Sequence, residues 1–245
     1  MTQAQPTPQG PNKEAVGRMF NEIARSYDPI NTLLSFGTDR RWRRLLVRGV
    51  VKDNPRHILD LAAGTGEVTL PLAKALPESH ITAADLSEGM LEVARRKFAS
   101  QGLEERVGVV VADAEALPFG EEQFDCVTLV FGIRNFSAPA SAMAELFRVT
   151  KPGAKIYIME FGIPEGAIFG ALYRFYQRRV MPLVGGLLSG KWRAYRYLPT
   201  SIDAFARRVD VERLIGEAGF ESVATQSLTR GIAKLYSAQK PSDIR

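Results

Sequence analysis

A glycine-rich turn and a later carboxylate are the residues of this chain best suited to hold a cofactor. The segment His57–Gly66, HILDLAAGTG, predicts a short buried strand that breaks into a turn before a helix beginning near Glu67. Asp85 ends the next predicted strand, roughly 20 residues further along the chain. Gly64 and Gly66 let a ligand approach the backbone closely, and an acid at this spacing binds the two hydroxyls of a ribose. The pattern therefore predicts a site for a nucleoside cofactor.

Two nucleoside cofactors compete for such a turn. Dinucleotide-binding folds use the pattern G-x-G-x-x-G, and Thr69 stands here where the third glycine belongs. Asp60 precedes the turn, and a carboxylate there would repel a pyrophosphate but attract the ammonium and sulfonium groups of S-adenosyl-L-methionine. The residues therefore favour S-adenosyl-L-methionine over NAD. A glycine turn without any ligand is the remaining alternative.

Further cofactor contacts are expected where neighbouring predicted strands end, because the carboxyl ends of parallel strands meet at one edge of a sheet. Leu86 and Met90 follow the second strand and are suited to cover one face of an adenine. Asp113 follows the third strand, where its carboxylate is expected to accept a hydrogen bond from the adenine amino group while the Ala114 backbone N–H serves the ring. The alternative for Asp113 is a cap on the turn that follows it.

The scarcity of cysteine and histidine excludes several kinds of chemistry. The 245 residues include one cysteine, Cys126, and two histidines, so no disulfide can close within the chain and no Cys/His metal centre is expected. No apolar run reaches the ~18 residues of a membrane span. Residues 1–12 lack the apolar core of a secretory leader and are expected to form a disordered tail. These features predict a cytoplasmic protein.

The positive charge of the chain is concentrated in two segments. The net charge is +5, yet residues 39–52 carry six basic residues against one acid, and residues 165–200 do the same. Both segments interleave their basic residues with apolar or aromatic ones. This composition suits an anionic membrane surface or a nucleic acid, and a solvated basic face is the plain alternative.

Strand and helix patterns alternate along most of the chain. Apolar residues at helical spacing predict a first helix that ends before a turn at Asp28-Pro29, and a second helix over residues 38–51. Strands are then expected at 58–61, 80–85, 106–111, 124–130 and 154–160, helices at 66–76, 87–100 and 137–149, and a sharp turn at 151–153. Such alternation predicts an α/β fold with a parallel sheet covered on both faces.

The regular pattern lapses over residues 161–208, which are rich in glycine, proline and aromatics and are expected to form an inserted substrate-covering segment. A helix at 210–218 and strands at 220–227 and 231–237, joined by a turn at Thr229–Gly231, then predict an antiparallel hairpin. A mostly parallel sheet finished by a hairpin is the seven-stranded methyltransferase arrangement rather than the six-stranded dinucleotide one. We expect one domain over residues 13–245, with residues 13–52 as an N-terminal helical lid.

Five segments together carry a resemblance to a known family: VGRMFNEIARSYDPINTLLSFGTDRRWRR, ILDLAAGTGEVT, ADAEALPFGEEQFDCVTLVFGIRNF, RVTKPGAKIYIMEFGIP and YRYLPTSI. They resemble the ubiquinone/menaquinone biosynthesis C-methyltransferase family over roughly residues 14–237. The glycine motif alone indicates only a class I methyltransferase, whereas the flanking segments are much more specific. The resemblance implies a Rossmann-like class I fold that binds S-adenosyl-L-methionine.

The resemblance also implies a reaction, the methylation of a ring carbon on a prenylated quinol. Demethylmenaquinol is the expected substrate, and 2-polyprenyl-6-methoxy-1,4-benzoquinol is the alternative. Thr65 of the glycine turn, Asp85 and the Asp113-Ala114 pair match the positions at which the family contacts S-adenosyl-L-methionine. Because a polyisoprenoid substrate resides in a bilayer, we expect reversible, peripheral association with an anionic membrane surface from the cytoplasmic side.

A quinol ring carbon becomes nucleophilic when the neighbouring hydroxyl loses its proton, so the protein must place the ring, exclude water and stabilise a phenolate. Arg134 and Asn135 follow the fourth strand and are the candidates for binding the quinol oxygens, because arginine is a permanent cation. The residues expected to position the ring, take its proton or line its pocket are Tyr27, Asp28, Tyr195 and Tyr197. For the three tyrosines, packing between neighbouring elements is the alternative role.

Three other functions remain open from the sequence. An NAD-dependent oxidoreductase is disfavoured by Thr69 at the third glycine position and by two histidines that both open predicted strands. A non-catalytic protein that binds S-adenosyl-L-methionine or lipid would share the same scaffold. RNA methylation would fit the charge, but FGIRN follows the fourth strand in place of an N-P-P-Y-type motif, so no nucleic acid partner is expected.

Overall fold

A computed structural model describes residues 10–242 of the chain, with a seven-stranded sheet at its centre. The strands are β1 (His57–Leu61), β2 (His80–Asp85), β3 (Val107–Val111), β4 (Phe124–Val130), β5 (Thr150–Phe161), β6 (Glu221–Leu228) and β7 (Ala233–Gln239). Their order is β3-β2-β1-β4-β5-β7-β6. β7 runs antiparallel to β5 and β6, and the other neighbours pair in parallel. The predicted seven-stranded, mostly parallel sheet and its terminal hairpin are confirmed.

Helices connect the strands and cover the sheet. They are α1 (Lys13–Ile23), α2 (Tyr27–Leu34), α3 (Thr38–Asp53), α4 (Thr69–Ala75), α5 (Glu88–Ala99), α6 (Pro139–Val149), α7 (Ala167–Phe175), α8 (Met181–Ser189), α9 (Trp192–Arg208) and α10 (Val211–Glu217). A 3-10 turn, Ile133–Asn135, follows β4, and a π-helical turn, Tyr176–Val180, joins α7 to α8. Within residues 10–242, no helix has the length and apolarity needed to cross a membrane.

The central strands are buried on both faces, which explains their continuous apolar sequences. Ile58 of β1 packs into one core with residues of α3 and α4. Leu59 and Leu61 of the same strand pack into the opposite core with residues of α6 and α10. A parallel sheet needs both faces covered because its connecting helices lie on either side. β1 and β4 are neighbours at the point where strand order reverses, so a ligand crevice is expected at their carboxyl ends.

The N-terminal helices differ from the prediction at the Asp28-Pro29 step. Instead of forming a turn, both residues lie in the first turn of α2, and Tyr27 begins that helix rather than ending α1. Proline is tolerated there because the first N–H groups of a helix have no intrahelical partner. Ile23 and Ile30 join Met181 and Tyr195 in a third apolar cluster, through which α1 and α2 pack against α8 and α9.

The segment 161–208, expected to be irregular, is mostly helical. Its glycines and prolines obscure the helical period but serve packing and helix ends. A Cβ added at Gly185 would lie 2.3 Å from the Tyr195 ring, and one at Gly186 would lie 2.4 Å from Trp192. Close approach of α8 to α9 therefore requires these glycines, and Pro182 stands in the first turn of α8, where proline is favoured.

Two shorter segments also depart from the prediction. The expected sharp turn at residues 151–153 is an irregularity within β5, whose pairing with β4 shifts register between Thr150 and Lys155. Residues 1–9 of the predicted tail lie outside the described residues. The prediction extends too far, however, because the Gly10 N–H donates to the Ser137 carbonyl over 2.7 Å and the Ser137 hydroxyl donates to the Pro11 carbonyl.

We predict that Gly66→Ala destabilises the protein more than Gly64→Ala. Both glycines have positive φ, so each substitution strains the backbone by about 1–2 kcal/mol. Only at Gly66 would the new Cβ meet a side chain, 2.6 Å from Phe98 Cζ, which adds about 1–3 kcal/mol of overpacking. Urea unfolding of the two variants measures the difference. Equal losses would contradict the close packing of the turn on α5.

Candidate active site

The turn after β1 and the acid at the end of β2 are joined by hydrogen bonds. The Gly64 N–H donates to Asp85 Oδ2 over 2.8 Å, and the Ser87 N–H donates to Asp85 Oδ1 over the same distance. Burial raises the pKa of the Asp85 carboxyl, and the hydrogen bonds from backbone N–H groups oppose that rise. The predicted glycine turn and the predicted acid therefore form one unit.

A first cavity opens beside this unit, and we call it the cofactor cavity. Helix α1 covers it through Lys13, Val16, Gly17 and Phe20. Gly66 lies outside the lining, beneath the turn and against Phe98. The other predicted cofactor residues all line it: Asp60, Gly64, Thr65, Asp85, Leu86, Met90, Asp113 and Ala114.

Asp113 has hydrogen-bond partners within the chain. Its Oδ1 accepts from the Glu115 N–H at 3.0 Å, which is the turn cap considered as the alternative for this residue. Its Oδ2 lies 2.5 Å from Nζ of Lys13. Partial burial acts to raise the Asp113 pKa, but these partners outweigh it and lower the pKa below its usual range. Lys13, which the sequence analysis did not single out, thereby links α1 to the cofactor cavity.

Asp60 is buried and its carboxylate is shared between two threonines. The Thr69 hydroxyl donates to Oδ2 over 2.6 Å and the Thr128 hydroxyl donates to Oδ1 over 2.7 Å. Burial raises the pKa of Asp60 to about 6, against the effect of these hydrogen bonds. Thr128 was not predicted as a site residue, although its position as a polar residue inside the apolar run FDCVTLV could have indicated it.

Asp28 lies beside the glycine turn rather than in a substrate pocket. Its Oδ1 accepts from the Thr65 hydroxyl at 2.6 Å, and its Oδ2 lies 2.6 Å from Nζ of Lys97. Lys97 also pairs with Glu67, again at 2.6 Å. Helix α2 is therefore connected through Asp28 to the glycine turn and to α5.

A second cavity, of about 560 Å³, lies on the other side of Phe131, and we call it the aromatic cavity. Most of its lining is apolar. The rings of Phe131 and Phe161 stack with centroids 4.3 Å apart, and Trp42 meets both rings edge-on. The aromatic residues that line it are Phe20, Tyr27, Phe36, Trp42, Phe131, Phe161, Phe169, Tyr173, Phe175, Tyr176, Tyr195 and Tyr197.

Two buried polar atoms at the aromatic cavity have no hydrogen-bond partner among the described residues: Arg134 Nε and Tyr195 Oη. Arg134 is otherwise held firmly, since its Nη1 lies 3.0 Å from Glu160 Oε1 and also donates to the Phe131 carbonyl. Burial raises the pKa of the Tyr195 phenol. An unpaired buried donor or acceptor costs about 1–3 kcal/mol, so these two atoms are exceptions among the buried polar groups of the protein.

The remaining candidates lie nearby. Asn135 lines the cofactor cavity, and Tyr197 lines the aromatic cavity and donates its hydroxyl to Asn135 Oδ1 over 3.0 Å. Tyr27 lines both cavities. Burial raises the pKa of the Tyr27 phenol, and the positive charges of Arg134 and Arg43 oppose the rise. Tyr27 therefore carries its proton near neutral pH and is suited to donate a hydrogen bond.

The two cavities meet at four residues that line both: Phe20, Tyr27, Arg43 and Phe131. Sequence reasoning found Tyr27 but missed Arg43, because Arg40, Arg41 and Arg44 beside it are identical in type. Only the direction in which the side chain leaves α3 distinguishes Arg43 from them.

The charge of the cofactor cavity fits a cationic nucleoside. The lining contains two basic residues, Lys13 and Arg43, and each is paired with an acid. It also contains five acids: Asp60, Glu67, Asp85, Asp113 and Glu115. A pyrophosphate would be repelled by this excess of negative charge, whereas a sulfonium and an ammonium are attracted. The residues present therefore fit S-adenosyl-L-methionine and do not fit NAD.

Known proteins resemble this chain over most of its length. A model of the ubiE/COQ5 methyltransferase family matches residues 9–240. The chain belongs to the ubiE/COQ5 methyltransferase family. Among its relatives, demethylmenaquinone methyltransferase of Thermus thermophilus is 45% identical over 223 residues, covering 91% of this chain and 100% of the relative. The ubiquinone/menaquinone biosynthesis C-methyltransferase UbiE of Geobacter sulfurreducens is 41% identical over 228 residues, covering 93% of this chain and 89% of the relative.

Solved structures show the same architecture at low sequence identity. The crystal structure of the [4+2]-cyclase SpnF has a TM-score of 0.67 at 17% identity, covering 98% of this chain and 100% of the cyclase. That likeness concerns the fold alone. Membership of the ubiE/COQ5 family confirms the predicted resemblance, and with it a methyltransferase whose cofactor is S-adenosyl-L-methionine.

We predict that Asp60→Asn changes the pH dependence of stability. Since the folded protein raises the pKa of Asp60 from 3.8 to about 6, it binds this proton more tightly than the unfolded chain does. The stabilisation that Asp60 contributes is fully present below the pKa that it has in the unfolded chain. It is lost as the pH rises through the pKa that Asp60 has in the folded protein. The wild-type free energy of unfolding, relative to the variant, should fall by about 2–3 kcal/mol between about pH 4 and pH 7. Urea unfolding across that range measures it, and a constant difference would contradict it.

Proposed function

We propose that this protein transfers the methyl group of S-adenosyl-L-methionine to a ring carbon of demethylmenaquinol. The observation that carries the proposal is the junction of an acid-lined cofactor cavity with an aromatic cavity of about 560 Å³. A cationic methyl donor and a large apolar ring with polar oxygens require two such sites in contact. The name of the Thermus thermophilus relative, demethylmenaquinone methyltransferase, supports the same substrate.

The predicted cofactor residues would divide the work of holding S-adenosyl-L-methionine. Asp85 would bind the ribose hydroxyls, which are donors from which its half-buried carboxylate can accept beside its two backbone N–H partners. Leu86 and Met90 would cover the adenine, and Thr65 and Asp60 would lie toward the cationic amino acid. When bound, the cofactor supplies an electrophilic methyl group, and its sulfur keeps the electron pair of the bond that breaks.

Arg134 and Tyr195 would bind the quinol oxygens, because their buried Nε and Oη atoms have no other partner among the described residues. The Arg134 cation favours the phenolate form of the quinol, and Glu160 holds the guanidinium in place. Tyr27 keeps its proton and would donate to an oxygen rather than accept the quinol proton. The apolar and aromatic lining of the cavity would reduce the access of water to the ring.

Asn135 and Asp28 would act by positioning other groups. Asn135 lines the cofactor cavity and accepts a hydrogen bond from Tyr197, which lines the aromatic cavity. Asp28 holds the Thr65 hydroxyl and pairs with Lys97, so its effect on the quinol is through the cofactor turn. We therefore retain both as functional residues, with Asp28 supporting the cofactor in place of its expected role beside the ring.

The alternative substrate is the benzoquinol of ubiquinone biosynthesis, which the name of the Geobacter sulfurreducens relative includes. An oxidoreductase is disfavoured, since Thr69 donates to Asp60 at the position where a dinucleotide site needs glycine. A Tyr-x-x-x-Lys pair can relay a proton in an oxidoreductase, and Tyr236 and Lys240 have that spacing. Lys240 Nζ, however, donates to the carbonyls of Phe147 and Thr150, and neither Tyr236 nor Lys240 lines a cavity described above.

The test of this function is transfer of a labelled methyl group. The purified protein is incubated in detergent with methyl-labelled S-adenosyl-L-methionine and either reduced demethylmenaquinone, the demethylated benzoquinol or tRNA. Label on the naphthoquinol ring carbon is the expected result. Label on the benzoquinol alone would assign the alternative substrate. No label on either quinol would contradict the proposal.

We predict that Arg134→Lys lowers kcat by about 10²-fold, because lysine keeps the charge but loses the planar guanidinium and its Nε donor. Methyl transfer at saturating substrate measures the effect. Arg96→Lys on the exposed side of α5 is the matched control and should leave kcat within about twofold. A thermal shift caused by S-adenosyl-L-methionine verifies that the variant still folds and binds the cofactor. Unchanged turnover in Arg134→Lys would favour a different site for the quinol oxygens.

We further propose that the mouth of the aromatic cavity docks on the cytoplasmic side of an anionic membrane. Phe36, Leu172 and Phe175 line that cavity and are nevertheless 80%, 66% and 61% exposed. A prenyl tail can pass from the bilayer to the cavity past these side chains without crossing water. Residues 165–200, which include Leu172 and Phe175, also carry basic side chains that would attract anionic lipid. They are Arg174, Arg178, Arg179, Lys191, Arg193 and Arg196.

We predict that the double variant Leu172→Ser, Phe175→Ser weakens binding to anionic vesicles by about tenfold or more, since burial of each side chain in lipid contributes about 1.5–3 kcal/mol. Cosedimentation with vesicles of phosphatidylglycerol and phosphatidylcholine measures the binding. Val111→Ser is the control, because Val111 is 48% exposed at the far edge strand β3. Failure of the wild-type protein to bind even at low salt would contradict the docking proposal.

A further inference from the structure

The reacting atoms must meet where the two cavities meet, and one permanently charged side chain stands there. Of the four residues that line both cavities, Phe20 and Phe131 are apolar and Tyr27 carries its proton, which leaves Arg43 as the cation at the junction. We propose that Arg43 is a further catalytic residue, whose guanidinium contacts the quinol oxygen and stabilises its negative charge while Asp39 and Ser35 position it. This inference rests on the proposed quinol methylation.

The position of Arg43 is set by a buried acid one helical turn earlier. Arg43 Nη1 donates to Asp39 Oδ2, and the Arg43 side chain is only 13% exposed. Asp39 is 6% exposed and accepts a second hydrogen bond, over 2.6 Å, from the Ser35 hydroxyl. These contacts fix one edge of the guanidinium. Within residues 10–242, its other N–H groups have no hydrogen-bond partner, so they are available to a ligand.

The aromatic stack between the cavities places Arg43 and Arg134 as a pair. The Arg43 Cζ atom lies 5.8 Å from the centroid of Phe131, and the Arg134 Cζ atom lies 5.3 Å from the centroid of Phe161. The two rings stack on each other. Two guanidinium groups therefore lie over the two stacked rings, Arg43 at the junction of the cavities and Arg134 within the aromatic cavity.

Tyr27 shows how this junction acts on a phenol. Its hydroxyl is buried, and both Arg134 and Arg43 lower its pKa against the effect of burial. For Tyr27 burial outweighs the two cations, so its pKa is raised overall and the phenol keeps its proton. For a quinol hydroxyl at the same place, Arg43 would offset part of the cost of the anionic form, on which the nucleophilic ring carbon depends.

Asp39 has a second consequence for a bound quinol. The carboxylate balances the Arg43 charge in the free protein, so the buried cation is not left unpaired. The phenolate would approach the opposite edge of the guanidinium, where donors remain available. Asp39 is therefore a positioning residue, and its removal should matter only while Arg43 is present.

The test compares Arg43→Gln and Arg43→Lys with Arg44→Gln in detergent micelles, using labelled S-adenosyl-L-methionine and reduced demethylmenaquinone. Arg44 is exposed on the same helix, and its Nε donates to the Arg40 carbonyl. We expect Arg43→Gln to lower kcat by about 10–10³-fold with KM for the cofactor within about threefold, Arg43→Lys to be intermediate, and Arg44→Gln to stay within about twofold.

A double-mutant cycle tests the positioning role. Asp39→Asn should lower kcat in the wild-type background but cause no further loss in Arg43→Gln, because the two act as one unit. The thermal shift caused by S-adenosyl-L-methionine verifies that each variant folds. If Arg43→Gln does not fold, Arg43→Lys takes its place in the cycle.

The outcomes separate this inference from the function on which it rests. If the wild-type protein methylates the quinol and both Arg43 variants have the same kcat as the wild type, the role of Arg43 is overturned and the quinol methylation stands. A loss in kcat shared equally by Arg44→Gln would overturn it too, since the effect would then follow the charge of α3. Wild-type protein that labels neither quinol would overturn both proposals.

Discussion

The site depends on one buried carboxylate, that of Asp60. It lies at the carboxyl end of β1 and accepts hydrogen bonds from Thr128 on β4 and Thr69 at the start of α4. A buried acid is tolerated only when its oxygens are satisfied, so the ends of these three elements must keep their relative positions. The turn that carries Gly64, the helix that follows it and the loop after β4 all begin from this point. Both cavities are therefore built outward from the place where the strand order reverses.

Phe131 transmits this arrangement to the aromatic cavity. It has a positive φ of +57°, which is uncommon for a residue with a side chain, and it follows directly on β4. Its N–H donates to the Met159 carbonyl of β5 over 2.7 Å, and its carbonyl accepts from Arg134. A Cβ at Gly132 would lie 2.5 Å from Ala62 Cβ, so the loop is pressed against the turn after β1. The strained residue thus lies between the cofactor cavity and the aromatic cavity and lines both.

Four basic residues around the site are held in pairs with acids. Arg134 is paired with Glu160, Arg43 with Asp39, Lys13 with Asp113 and Lys97 with Asp28. The Arg134–Glu160 and Arg43–Asp39 pairs offset the cost of placing their ions away from water, and each of these guanidinium groups has N–H groups without a partner among the described residues. Lys13 and Asp28 also join the N-terminal helices to the cofactor turn and its neighbouring strands. Helices α1 and α2 are thereby coupled to the cofactor cavity by electrostatics as well as by packing.

The sequence by itself determined the sheet, the glycine turn and the residues at the strand ends. Hydrophobic period and glycine position are local properties, and the carboxyl ends of parallel strands converge whatever the details of packing. The helical nature of residues 161–208 was hidden, because glycines that allow α8 to approach α9 also weaken the helical signal. Only the tertiary structure decided that Asp28 serves the cofactor turn, that Thr128 shares Asp60, and that Arg43 alone of its basic neighbours reaches the junction. These assignments depend on contacts between residues far apart in the chain, and no local pattern records them.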